Sequence, residues 1–219
     1  PPEIRRLADK FLMNPKEITV AALSSSAVTI TQGLVMLPRG SSQKEKRSTL
    51  RDLIRKDDAK NAIIFCNRKR DVSIVHRSMV RHGFNAGQLH GDMSQPARME
   101  TLNKFKADEI RYLVCSDVAA RGLDIPSMSH VFNFDVPTHA EDYVHRIGRT
   151  GRAGRQGHAY TIALNEDRKY IGFIEKLIGK PIPPIGSGNA QSAPATDAPE
   201  APKADSEPKE KHRGRGNRQ

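Results

Sequence analysis

From residue 62 onward the chain alternates short, unbroken apolar runs with longer stretches in which apolar residues recur every three or four positions. AIIFC at 62–66, YLVCS at 112–116, HVFNF at 130–134 and AYTIAL at 159–164 have the length and the β-branched and aromatic content of buried strands. Residues 70–82, 96–106 and 139–146 carry the helical period instead. Thr138 followed by Glu141 offers the last of these a capping box. Upstream, 28–37 reads as a first strand and 44–56 as a helix with Leu50, Leu53 and Ile54 inward. Downstream, 167–177 reads as a closing helix and 180–185 as a proline-rich exit. Strands alternating with helices predict an α/β fold, a parallel sheet with helices on both faces. Ligands of such sheets sit beyond the carboxyl ends of the strands. The unusual residues follow those ends: Asn67 and Arg68, residues 90–92 after a shorter run, Ser116 and Asp117, then Asp135. One edge of the sheet is therefore the expected functional surface.

The two ends differ from this body. Residues 1–13 have a proline start and an apolar helical face through Ile4, Leu7, Ala8, Phe11 and Leu12, and 17–22 reads as a strand. Serines 24–26 mark a linker, taken as 24–27. After Gly186 the composition becomes Ala, Pro, Ser, Glu and Lys without apolar period, which predicts a disordered basic tail over 186–219. Its terminal HRGRGNRQ is suited to tracking a nucleic-acid backbone, whereas the Ala/Pro part suits a solvating tail equally well.

Charge sharpens the choice of partner. The 219 residues carry a formal net charge of +11, which favours a polyanion, though charge alone does not separate nucleic acid from an acidic membrane surface. No apolar run approaches the roughly 20 residues that cross a bilayer, so no membrane role is expected. Cys66 and Cys115 each end a strand-like run and read as small core residues of a reducing compartment, cytoplasmic or nuclear, with the cytoplasm as the working expectation. No set of metal ligands stands out. Aromatics are 5% of the chain and tryptophan is absent, which argues against a base-stacking platform.

HRIGRTGRAGR at 145–155 is the most suggestive segment. Arg146, Arg149, Arg152 and Arg155 recur every third residue, so that a partly helical segment would converge their guanidinium groups, and each group fits phosphate oxygens in a bidentate way. Gly148, Gly151 and Gly154 are expected to let the backbone turn tightly or left-handedly beside a ligand. A solvated basic loop is the plain alternative.

This block resembles motif VI of the DEAD-box RNA helicases, and four others resemble that family in the same order: AIIFCN at 62–67 (motif IV), LHGDMSQPAR at 89–98 (the GD and QxxR elements), VCSDVAARGLDI at 114–125 (motif V) and VFNFDVP at 131–137. The resemblance implies the carboxyl-terminal RecA-like domain of an ATP-dependent RNA helicase over residues 28–185, the RhlE-like type being the most similar among bacterial members. It implies that 1–23 is the last helix and strand of a preceding RecA-like domain, because PPEIRRLA follows motif III in the family. Arg149 and Arg152 would be arginine fingers toward the γ-phosphate of ATP bound to that other domain. His145 would couple RNA binding to hydrolysis, and Gly122 and Asp124 would meet the nucleotide, Asp124 at the ribose. Arg121 would bridge motifs. Asn67, Arg68, Gly91, Arg98 and Ser116 would touch the RNA backbone, Ser116 standing where the family often has threonine. Phe65 would pack against an arginine of its own domain. Asp92 is expected to orient Arg98 or a backbone amide, since a bare carboxylate would repel phosphate.

The chain contains no GxxxxGK[ST] loop and no DEAD tetrad. ATP and Mg²⁺ would therefore be held chiefly by the amino-terminal RecA-like domain, and this chain alone is expected not to hydrolyse ATP. The expected partners are single-stranded or duplex RNA, that domain and RNA-processing proteins. A non-catalytic RNA-binding adaptor and a DNA helicase of the same superfamily are the rival readings; the ATP-facing set Asp124, Arg149 and Arg152 speaks against the first.

Overall fold

The structure, a computed structural model, describes residues 10–11, 30–121, 125–152 and 155–185. Six strands, β1 (Ile30–Met36), β2 (Ala62–Cys66), β3 (Ala86–Leu89), β4 (Tyr112–Ser116), β5 (His130–Asn133) and β6 (Gly157–Ala163), form one sheet in the order β1-β6-β5-β2-β4-β3. Every pairing is parallel. The helices are α1 (Gln43–Lys56), α2 (Lys69–Arg81), α3 (Gln95–Lys106), the single turn α4 (Asp117–Ala120), α5 (Ala140–Ile147) and α6 (Arg168–Ile178). This is the parallel α/β sheet predicted by the alternating pattern, and its architecture is the RecA-like one that the family resemblance implies. The segments 1–9, 12–29 and 186–219, with their expected domain remnant, linker and tail, lie outside the described residues.

The alternation of side chains along β2 divides the core in two. Ile63 and Phe65 face one way, with Leu102 and Phe105 of α3, Tyr143 and Ile147 of α5, and Ile171 and Ile174 of α6. Ala62, Ile64 and Cys66 face the other, with Leu50 and Ile54 of α1 and Val72, Val75 and Met79 of α2. All five residues of β2 are buried, as a central strand covered on both faces requires. Cys66 and Cys115 are free and fully buried. Burial, first of all, pushes both thiols up, which leaves them as inert core residues.

Helix starts follow capping chemistry, with one departure from expectation. Ser42 and Glu45 make a reciprocal capping box on α1, and Ser94 caps α3 through Ala97 N–H. The anticipated box at Thr138 and Glu141 does not form: α5 begins one residue later, with His139 at its N-cap and no side-chain cap bond. The Thr138 hydroxyl lies 3.2 Å from His139 Nδ1 instead. β6 also begins two residues before its apolar run, because Gly157 and His158 pair with β1, and His158 also with His130 of β5. β5 stops at Asn133, one residue short of expectation. The proline-rich exit covers the outer edge of β1, where Leu34 N–H donates to Pro183 O and Ile185 N–H to Leu34 O. Gly33 is required there, since a Cβ would come within 2.0 Å of Ile185 Cδ1.

At the amino ends of β5 and β6, the His130 and His158 rings stack 4.8 Å apart. Asp57 Oδ2 lies 2.8 Å from His130 Nε2 and accepts from Tyr160 Oη at 2.6 Å. Burial first, and then His130, holds His158 below its ordinary pKa of 6.5; burial, then His90, does the same to His76 against the opposing pull of its Ala86 carbonyl bond. The folded state therefore resists protonation that the unfolded chain accepts near 6.5. Stability present above that pH is lost as pH falls from 6.5 through the depressed folded values. Thermal unfolding should accordingly show a Tm that drops between about pH 7.5 and 5.5, with a shallower drop in His158→Gln. A Tm independent of pH across that window would contradict this account.

Candidate functional site

The carboxyl ends of β2, β4 and β5 meet on one guanidinium. Arg146 is 1% exposed. Its Nε donates to Asp117 Oδ1 at 2.7 Å and its Nη2 to Asp117 Oδ2 at 2.6 Å. Nη2 also donates to Asn67 Oδ1 at 2.8 Å, and Nη1 to the Asp135 carbonyl at 2.6 Å. Its Cζ stands 5.2 Å from the centre of the Phe65 ring, so Phe65 packs against an arginine of its own domain, as expected. Asp135 in turn accepts from Lys46 Nζ at 2.9 Å and from Asn67 N–H at 3.0 Å. A buried arginine is tolerable only when its donors and charge are met; here one carboxylate and three further acceptors meet them, counting Asn133 Oδ1 at 3.4 Å.

Arg146 therefore does not converge with Arg149, Arg152 and Arg155 on a ligand. The helical turn that would align them ends at Ile147, so Arg146 faces the core while Arg152 and Arg155 are exposed. Its structural use is visible in the sequence only in hindsight: it lies three residues after Tyr143 and one before Ile147, on the inward face of α5, and an inward arginine needs the strand-end Asp117. Gly148 is also unlike its expected role, with an ordinary φ of −65°. Gly151 does turn left-handedly, at φ 66°, and Gly154 lies outside the described residues.

A cleft of about 690 Å³ runs along α5, from Asn67 and Ser116 on the sheet edge past His145 to Arg149. Its carboxylates are largely committed: Asp117 to Arg146, and Asp142 to Arg121. The latter pair ties the segment after α4 to α5, the bridging role expected of Arg121. His145 is exposed in the last turn of α5, where positive charge is favoured by the helix dipole. Arg149 is half-buried and has no carboxylate partner among the described residues. Burial, and then the like charge of Arg152, hold its guanidinium below its ordinary value. Arg152 Nε donates to the Gly148 carbonyl at 2.7 Å, which leaves the rest of its fork outward. Two cations so placed are stabilised by an arriving anion.

The remaining expected RNA contacts stand at the carboxyl ends of β2, β3 and β4. Arg68 and Gly91 are exposed, and Ser116 is 8% exposed without a side-chain cap bond. The Asn67 side chain is spent inside the domain, its Nδ2 donating to the Val136 carbonyl at 2.9 Å. Arg98 reaches Gln95 Oε1 and the Ala119 carbonyl, and its Nε is buried with no acceptor among the described residues. Asp92 does not orient Arg98: it pairs with Lys69 Nζ at 2.8 Å, so the repulsion anticipated for phosphate is offset by the first residue of α2. Gly122 and Asp124 lie outside the described residues.

Residues 45–154 match the helicase conserved C-terminal domain. The chain is 40% identical over 185 residues to the ATP-dependent RNA helicase CshA of Listeria monocytogenes, covering 84% of this chain and 35% of CshA. It thus spans about a third of that relative's length. Among solved structures, it matches E. coli DEAD-box protein SrmB bound to regulator of ribonuclease activity A, with a TM-score of 0.68, 33% identity, and coverage of 76% of this chain and 98% of that one. It also matches S. cerevisiae Dbp5 bound to RNA and ADP BeF3, with a TM-score of 0.73, 26% identity, and coverage of 86% and 49%. An all-parallel RecA-like sheet, the ordered motifs and these matches agree, and the chain belongs to the helicase conserved C-terminal domain family, in its DEAD-box branch.

Proposed function

We propose that this chain is the carboxyl-terminal half of an ATP-driven RNA-unwinding site, completed by an amino-terminal RecA-like domain. The carrying observation is the cleft along α5: Arg149, lacking a carboxylate partner among the described residues, lies at one end and the RNA-contacting edge at the other. In this reading Arg149 and Arg152 neutralise charge on the phosphoryl group being transferred, which preorganised cations do without reorganisation. His145, between the two ends, couples them; Gly122 and Asp124 hold the nucleoside. Arg68, Gly91, Arg98 and Ser116 meet sugar and phosphate, so RNA is bound without sequence preference. That Dbp5, which this chain resembles in fold, is bound to both RNA and ADP BeF3 supports a reading in which both ligands are involved.

Mg²⁺ belongs to the other domain. Among the described residues the one converging trio of potential ligands is Asp57, His130 and His158, at the opposite end of β5 and rich in imidazole, whereas Mg²⁺ prefers carboxylate and phosphate oxygen. The chain works in the cytoplasm beside RNA-processing proteins, is of the RhlE-like type, and its 186–219 tail adds non-specific RNA affinity. Phosphate release from ATP with single-stranded RNA tests the proposal. The chain alone should release none, and the chain joined to an amino-terminal domain bearing a P-loop and a DEAD motif should turn over. Inactivity of both, with RNA binding retained, would make it an adaptor.

A further inference from the structure

We propose a second RNA-binding surface, away from the sheet edge, in the groove between α1 and α2; it rests on the RNA reading above. The groove has a volume of about 360 Å³ and is lined by Lys44, Arg47 and Arg51 of α1 and by Arg77 and Arg81 of α2, with no carboxylate among its lining residues. Spacings of three and four place Lys44, Arg47 and Arg51 in one stripe of α1, and Arg70, Arg77 and Arg81 fall on one face of α2 by the same rule. The two helices cover different strands, α1 over β6 and α2 over β2, β3 and β4, which leaves a trough between their stripes. Arg51 Nη1 crosses it to Ser78 Oγ at 3.0 Å and fixes its width.

None of the five lining cations forms an ion pair among the described residues. The acids of α1 are engaged elsewhere, Asp52 with Arg55 and Glu45 with the Ser42 cap. Burial, with opposition from Asp52 and reinforcement from Arg55 and Arg47, holds Arg51 below its ordinary value. Such a cluster is self-repelling until a polyanion enters.

The chemistry favours a phosphate backbone over an acidic peptide. Ile74 is the groove's one apolar lining residue, so a peptide would find no hydrophobic anchor, whereas guanidinium forks match repeated phosphates. Position agrees. α2 starts at the RNA edge, beside Arg68, and Arg81 lies about 20 Å further along it at 1.5 Å per residue. RNA leaving the edge along α2 meets the stripe Arg70, Arg77 and Arg81 in turn. The groove thus holds the flank of an RNA whose other part occupies the edge.

The test uses the 219-residue chain, Arg47→Gln/Arg77→Gln/Arg81→Gln, and fluorescence anisotropy with oligouridylates of about 8 and about 30 nucleotides. The triple variant should bind the longer RNA about tenfold more weakly, with the slope of log K against log salt reduced by about 2, at about 0.7 per lost phosphate contact. Its affinity for the short RNA and its Tm should be unchanged, and the matching triple Arg→Lys variant should keep the slope. Unchanged binding of the long RNA, or equal loss for both lengths, would overturn the groove while leaving the edge intact. Polyglutamate bound as tightly as the long RNA, and lost in the same variant, would make it a peptide site and overturn it too. Failure of the unmodified chain to bind either RNA would instead overturn the underlying RNA reading.

Discussion

Arg146→Ala is expected to destabilise the domain by about 3–5 kcal/mol, because it strands the buried side of Asp117 and leaves Asn67 Oδ1 and the Asp135 carbonyl without their donor. For a domain of this size that corresponds to a fall in Tm of about 10 °C or more. Heat or urea denaturation of the single variant reads it directly. Arg146→Lys should recover less than half of the loss, since an ammonium cannot span Asp117 bidentately while also reaching Asn67 and Asp135. Removing the stranded charge as well, in Arg146→Met/Asp117→Asn, should recover more than the lysine does. A loss for Arg146→Ala below about 1 kcal/mol would show that the buried network is incidental to stability.

The second large effect is kinetic. With the chain joined to an amino-terminal domain that carries a P-loop and a DEAD motif, Arg149→Ala or Arg152→Ala should lower ATP turnover by about 10³-fold or more. Both side chains are at least partly exposed and lie outside the Arg146 network, so the Tm of either variant should stay within a degree or two of the parent. RNA binding measured without ATP should be nearly intact, because neither residue stands at the edge with Arg68 and Gly91. Comparable losses in turnover and in nucleotide-free RNA binding would mean that these arginines meet RNA and that the nucleotide assignment is mistaken.

Much of this architecture was legible in the chain. Buried parallel strands are continuous apolar runs, so β2 and β4 have the bounds their sequences predict, and the parallel sheet follows from alternation alone. The misreadings of polar residues share one cause: partners that lie far away in sequence. Arg146 looked like a fourth phosphate-facing arginine because its acceptors, Asn67, Asp117 and Asp135, are 79, 29 and 11 residues away. Lys46, 2% exposed, gave no sign of being buried until Asp135 was placed beside it. Gly157 and His158 were not read as strand because they join β6 through backbone pairing, which leaves no hydrophobic signature. The basic stripes of α1 and α2 could have been found by helical spacing; each reads as an ordinary solvated face until the other helix is set alongside.

The exit segment and β6 bear on where this domain can be cut. The match to the helicase conserved C-terminal domain spans 45–154, yet β1 precedes that span and β6, α6 and the covering strip at Pro183 and Ile185 follow it. β6 is an interior strand, held between β1 and β5, and Thr161 within it accepts from Asn133. A polypeptide trimmed to the matched span would expose β5 as a raw edge and lose Ile171 and Ile174 from one hydrophobic layer. It would keep the residues proposed to meet ligands and forfeit the packing that holds them in register. The matched span thus falls short of the folding unit, whose sheet and hydrophobic layers draw on residues from Ile30 to Ile185.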